Sequence, residues 1–162
     1  MSDSPSLSHL AADGSPRMVD VGSKTPSARA ALAEAIVRYP EATFQRILAG
    51  DLPKGGIVEP ARIAGIMAAK RTAELIPLCH GLLLEQVSIE IHPLESGEPA
   101  FQVLCRASLT GKTGVEMEAM TGAAIAALTL YDMTKGLDKG IVIEKVRLLA
   151  KSGGKSGPWK AQ

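Results

Sequence analysis

The chain has 162 residues and a formal net charge of +1, so it is long enough for one domain with a real core and carries no strong field toward nucleic acid or an anionic membrane. Aromatic residues make up 3% of it, too few for base-stacking platforms, and no apolar run reaches membrane-spanning length. Cys79 and Cys105 lack metal-type spacing and read as reduced thiols of a cytoplasmic protein. The first residues show no basic segment followed by an apolar stretch, so no secretory signal is read there.

Residues 1–16 are rich in Ser, Pro and Asp and read as a disordered tail, which leaves 17–157 as a single domain and 158–162 as a short C-terminal tail. Arg17 to Val21 reads as a short strand holding Asp20, with Lys24 just beyond. Ser27 to Tyr39 (SARAALAEAIVRY) reads as a helix stopped by Pro40, and Glu41 to Ala49 as a second helix ending at Gly50. The loop DLPKGGIVEP carries Lys54 beside two glycines, which allow close backbone approach. Pro60 suits the first turn of a third helix, Ala61 to Leu75, with Ile63, Ile66 and Met67 as its apolar stripe and Lys70 on the same stripe. Pro77 ends that helix, and Leu78-Cys79-His80-Gly81 follows as an irregular segment. A histidine is more often structural than functional; the adjacent cysteine raises the interest of this one only modestly. Leu83 to His92 and Ala100 to Thr110 read as a hairpin joined by LESGEP, and Ile141 to Ala150 as a last strand.

Between these strands lies TGKTGVEMEAMTGAAIAALTLYDMTK, Thr110 to Lys135. Thr113 and Glu116 fit a capping box that starts a helix running to Lys135, with Gly136 as its C-cap. Its middle, Thr121 to Thr129, is almost all small residues, so another backbone can approach closely. Glu118 and Asp132 lie within about 40° of one another around the helix but about 21 Å apart along it. One small ligand does not reach both within one chain. An antiparallel copy crossing near Ile125 would set Glu118 beside the partner's Asp132, which predicts a twofold interface with composite sites. An ordinary buried helix with solvated ends fits the same pattern.

The order strand, helices, strand, strand, helix, strand predicts an α+β, ferredoxin-like split βαβ antiparallel sheet with extra helices in the first crossover. Gly111-Lys112-Thr113 and Gly154-Lys155-Ser156 imitate a P-loop, but the first P-loop glycine would fall at Arg106 in one and Leu149 in the other. The run from Lys151 to Gly157 can still wrap an anion with backbone N–H groups and lysines. Lys24, Lys54, Lys70, Lys112, Lys135, Lys151 and Lys155 sit mostly beside glycines or element ends, while Glu116, Glu118, Asp132 and His80 supply acids and bases. Together they point to an enzyme acting on a phosphorylated small molecule.

ARIAGIMAAKRTAELIPLCH, LTGKTGVEMEAMTGAAIAALTLYDMTK and VRLLAKSGGKSG closely resemble the molybdenum cofactor biosynthesis protein C family, the cyclic pyranopterin monophosphate synthases, over about Met18 to Gly157. The resemblance implies a lyase acting on 3′,8-cyclo-7,8-dihydroguanosine 5′-triphosphate, with cyclic pyranopterin monophosphate and diphosphate as products. It implies a homohexamer, a trimer of dimers with sites at dimer interfaces, and no cofactor. Asp132 matches the family's proposed active-site aspartate, and Lys54 and Lys135 match lysines thought to move protons. Leu78, Cys79 and His80 match one substrate-binding run, and Met117 and Glu118 the other. Asp20, Lys24, Lys70, Glu116 and Lys151 match further pocket positions. Family members usually carry Pro after the histidine, where this chain has Gly81, which loosens the loop that places His80.

The reaction so implied opens the purine's five-membered portion and closes the pterin and pyran rings through several proton transfers. A ribose hydroxyl attacks the α-phosphorus and diphosphate departs. Lysines would neutralise the triphosphate and, with pKa lowered in a cationic crowd, act as acid or base. No metal-ligand set is visible; magnesium carried by the substrate is compatible with the sequence. A non-catalytic nucleotide-binding oligomer of the same fold is the alternative, but it would not need Lys54, Asp132 and Lys135 together. An RNA-binding module lacks the strand aromatics, only Phe101 being available.

Overall fold

The computed structural model of the chain describes residues 10–11, 13–52, 55–155 and 157–162. Five strands form one antiparallel sheet: β1 (Ser27–Arg38), β2 (Gln86–Pro93), β3 (Ala100–Gly111), β4 (Val142–Ser152) and β5 (Trp159–Lys160), in the order β2-β3-β1-β4-β5. The helices α1 (Glu41–Leu48), α2 (Val58–Lys70) and α3 (Thr72–Leu75) fill the crossover from β1 to β2, and α4 (Glu116–Thr134) connects β3 to β4. The four long strands and α4 thus make the expected ferredoxin-like arrangement, with extra helices in the first crossover. Trp159 and Lys160 extend the sheet beyond it by pairing with Lys151 and Ala150.

Its first strand is not where the sequence pattern puts it. Arg17 to Val21 is irregular, and Ser27 to Arg38, read above as helix, is the central strand β1. Alanine favours a helix in isolation, but both edges of this segment are hydrogen-bonded, to β3 and to β4, and tertiary pairing overrides that preference. Alternation is hidden because both faces are covered. Ala31, Ala33, Ala35 and Val37 belong to the core. Glu34, on the opposite face, is also buried, and accepts hydrogen bonds from Gln102 at 2.8 Å and Arg147 at 2.6 Å.

The alanines let α4 lie close to the sheet through Ala119, Ala123, Ala126 and Ala127, all fully buried. α4 also meets α2 backbone to backbone: a Cβ on Gly65 would lie 2.8 Å from the Gly122 carbonyl oxygen, and one on Gly122 would lie 3.2 Å from the Gly65 carbonyl oxygen. The small middle of α4 does admit another helix, and within the chain that helix is α2.

This packing also corrects the third helix. It breaks at Arg71 into α2 and α3, with Thr72 Oγ1 donating to the Ala69 carbonyl at 3.0 Å. Its buried face is Ala61, Gly65, Ala68 and Ala69, while Ile63 and Met67 of the expected stripe are 56% and 47% exposed. Close helix contact selects small residues and leaves the large ones outside. α1 and the hairpin turn fall where expected, with Leu94 N–H bonded to Ala100 O at 2.8 Å. Leu10 and Pro16 form an isolated bridge; the rest of the stretch read as a disordered tail lies mostly outside the described residues.

The capping box at Thr113 does not form. α4 begins at Glu116 with Val115 as N-cap and no side-chain cap, and Thr113 Oγ1 is buried with no hydrogen-bond partner among the described residues. The Glu116 carboxylate that would complete the box pairs with Lys151 instead. At the other end Lys135, not Gly136, is the C-cap.

Candidate active site

A cavity of about 980 Å³ opens where the ends of β3 and β4 meet the first turn of α4. From α4 come Glu116, Met117 and Glu118, and from the link before it Lys112, Thr113 and Gly114. β4 ends in Lys151 and Ser152, followed by Gly153, Gly154 and Lys155. The irregular segment after α3 adds Leu78, Cys79, His80 and Leu82, and residues of 19–25, Lys24 among them, line it too. Ser27 and Arg29 reach it from the start of β1, two residues apart as strand alternation requires.

The two glutamates sit in different fields. Burial pushes the Glu118 carboxyl above its ordinary value, and the charge of Glu116 pushes the same way; the residue is 4% exposed. Burial acts on Glu116 too, but it is outweighed by the Lys151 ammonium at 2.8 Å, a bond to its own backbone N–H and the charge of Arg29, so its carboxyl ends below the ordinary value. Neighbouring carboxyls are driven apart in this way, Glu118 holding its proton more tightly than Glu116. The Cys79 thiol is raised by burial and then by Glu118, so it stays protonated and is no nucleophile at neutral pH. Among the described residues no group of three or more His, Cys, Asp or Glu is placed to hold a metal ion.

Cations line the cavity beside these carboxyls. Arg29 Nε donates to the Gly111 carbonyl at 3.3 Å, and its guanidinium lies against the turn at Gly153 and Gly154. Those glycines have φ of +90° and +83°, which side-chain-bearing residues rarely adopt, and a Cβ on Gly154 would overlap the guanidinium. The glycine-lysine run thus lies in the cavity wall, where its N–H groups, Arg29, Lys112, Lys151 and Lys155 can meet an anion.

The model of the MoaC family matches residues 18–154. This chain belongs to the MoaC family. It is 52% identical over 155 residues to the cyclic pyranopterin monophosphate synthase of Novosphingobium aromaticivorans, covering 96% of this chain and 97% of that protein. It is 53% identical over 156 residues to the synthase of the same name from Chloroflexus aggregans, covering 96% and 94%.

For this MoaC-family chain, the sequence-derived residues divide into two groups. The cavity gathers Lys24, Leu78, Cys79, His80, Glu116, Met117, Glu118 and Lys151. Four others stand apart from it. Lys70 shares with Glu118 a smaller cavity of about 300 Å³. Asp20 is exposed and bonds the Gly22 N–H at 2.8 Å. Asp132 and Lys135 pair at 2.7 Å at the far end of α4. There the hydrogen bond to Asp132 raises the Lys135 ammonium above its ordinary value. Lys54 lies outside the described residues. Arg29 was missed because it falls in the stretch read as helix; the signal that finds it is the two-residue spacing of Ser27 and Arg29 once that stretch is a strand.

Proposed function

We propose that this chain converts 3′,8-cyclo-7,8-dihydroguanosine 5′-triphosphate to cyclic pyranopterin monophosphate with release of diphosphate, the lyase step of molybdenum cofactor biosynthesis that its relatives are named for. One observation carries the reading. A single cavity joins a cationic, glycine-rich wall suited to a triphosphate with two carboxyls of opposed proton affinity and a histidine suited to proton transfer. In this reading Arg29, Lys24, Lys112, Lys151 and Lys155 hold the phosphates, and Glu118 and His80 face the rearranging ring. Residues 17–157 are the catalytic domain and act in the cytoplasm.

Asp132, Lys135 and Lys54 complete the proton-transfer set, the first two from a second copy. Asp132 is about 21 Å from Glu118 by helical rise. The exposed face of α4 carries Met117 and Leu128, and Leu128 is 51% exposed; beside it α2 exposes Ile63 and Met67. An apolar surface of this kind suits a twofold helix contact, repeated three times in a hexamer. The decisive assay is diphosphate release from the cyclised GTP substrate by the purified chain, with the pterin product identified by mass. Tight binding without diphosphate would overturn the reading in favour of a nucleotide-binding oligomer.

A further inference from the structure

Residues 19–24 run along the cavity as an irregular strap. Val19 and Val21 turn inward and line it, and Asp20 between them is exposed. Two cavity side chains hold the strap. His80 Nε2 lies 2.9 Å from the Val19 carbonyl oxygen, and Lys112 Nζ donates to the Gly22 carbonyl at 2.7 Å. Asp20 lies between these carbonyls in sequence. Its Oδ1 accepts the Gly22 N–H at 2.8 Å, and the next turn closes with Lys24 N–H on Val21 O at 3.1 Å. An aspartate bonded to the backbone two residues on fixes the path of the chain between them, the segment that joins the two carbonyls.

A carbonyl oxygen only accepts. The Nε2 of His80 therefore carries a proton whatever the charge of the ring, and in the neutral ring Nδ1 is the acceptor. We propose that Asp20 is a positioning residue: it holds the strap so that the Val19 carbonyl fixes His80 as the Nε2–H tautomer and the Gly22 carbonyl seats Lys112. Asp20 acts on the reaction through these two side chains rather than through substrate. The strap also supplies the orientation that Gly81, next to His80, does not impose. The kinetic side of this proposal rests on the function proposed above; the state of the ring does not.

The test uses the full chain. Ring-nitrogen NMR spectra are recorded at alkaline pH without substrate, with His80 assigned by its loss in His80→Gln. The Nε2–H tautomer is expected in the wild type. Asp20→Ala removes the acceptor and should give mixed tautomers and a rise in KM of about fivefold, the factor one ordinary hydrogen bond supplies. Asp20→Asn keeps an oxygen in place without the charge and should recover most of the tautomer signature and at least half of the loss in KM. An Nδ1–H ring in the wild type, or an unchanged ring in Asp20→Ala, overturns the proposal. So does an Asp20→Asn variant as impaired as Asp20→Ala, since the charge itself would then be in use. Should the wild type fail to turn over the cyclised nucleotide, the functional reading falls while the ring spectra still decide the role of the strap.

Discussion

The Lys151 ammonium donates to the Glu116 carboxylate at 2.8 Å, tying the end of the last long strand to the first turn of α4 across the cavity wall. The pair is partly buried and belongs to the folded chain only. Glu116 therefore has a lower carboxyl pKa folded than unfolded, so its contribution is present above the ordinary value of 4.5 and is lost as pH falls through the folded value. Glu116→Gln should destabilise the protein by about 0.5–1 kcal/mol at neutral pH, the scale of a partly exposed pair. Urea denaturation of both proteins at neutral pH and at a pH well below 4.5 should show that gap closing at the lower pH. An equal gap at both pH values would mean that the pair does not form in solution.

Glu118 runs the other way. Its folded pKa lies above 4.5, so the stability it contributes is present below 4.5 and is lost as pH rises through the folded value. At neutral pH its buried charge is a net cost. Glu118→Gln should raise the melting temperature, by about 2–4 °C per kcal/mol recovered, and lower turnover about a hundredfold or more if the carboxyl moves a proton. A variant that is both less stable and fully active would refute this assignment.

Gly65 tests the fold without touching the cavity. Alanine there sets a Cβ 2.8 Å from Gly122 O, 2.9 Å from Ile89 Cδ1 and 3.0 Å from Ala126 Cβ. Two backbones and a core side chain have to separate, so Gly65→Ala should cost about 1–3 kcal/mol in chemical denaturation. A neutral substitution would show that α2 and α4 do not meet backbone to backbone in solution.

The composite site has its own test. Glu118→Ala and Asp132→Ala proteins, each nearly inactive, are mixed under conditions of subunit exchange. In a mixed dimer one pocket carries both lesions and the other neither. With random pairing, half the dimers are mixed and half of their pockets are intact, so activity should approach about a quarter of wild type. Exchange verified by mass with no recovered activity would mean that the two residues do not share a pocket across chains.

Local signals were enough to read the hairpin, the long helix and the last strand, and the cavity gathers most of the residues that recurred in glycine- and lysine-rich stretches. What was not legible followed from contacts distant in sequence. β1 reads as a helix because its alanines are shaped by neighbours on both edges and above. The stripe of Ile63 and Met67 misled because a glycine contact, not a large apolar side chain, faces α4. Thr113 has the composition of a cap, but its partner glutamate is drawn to Lys151, a residue 35 positions away from Glu116.

The place of β1 in the sheet also sets a timetable. Ala31 pairs with Lys151, which is 151 − 31 = 120 residues later. At about 5–20 residues per second of synthesis, β1 waits roughly 6–24 s for that neighbour. The same late residues, 151–155, bring the cations that finish the cavity. A nascent or C-terminally clipped chain thus has its central strand and its acids but no complete anion wall.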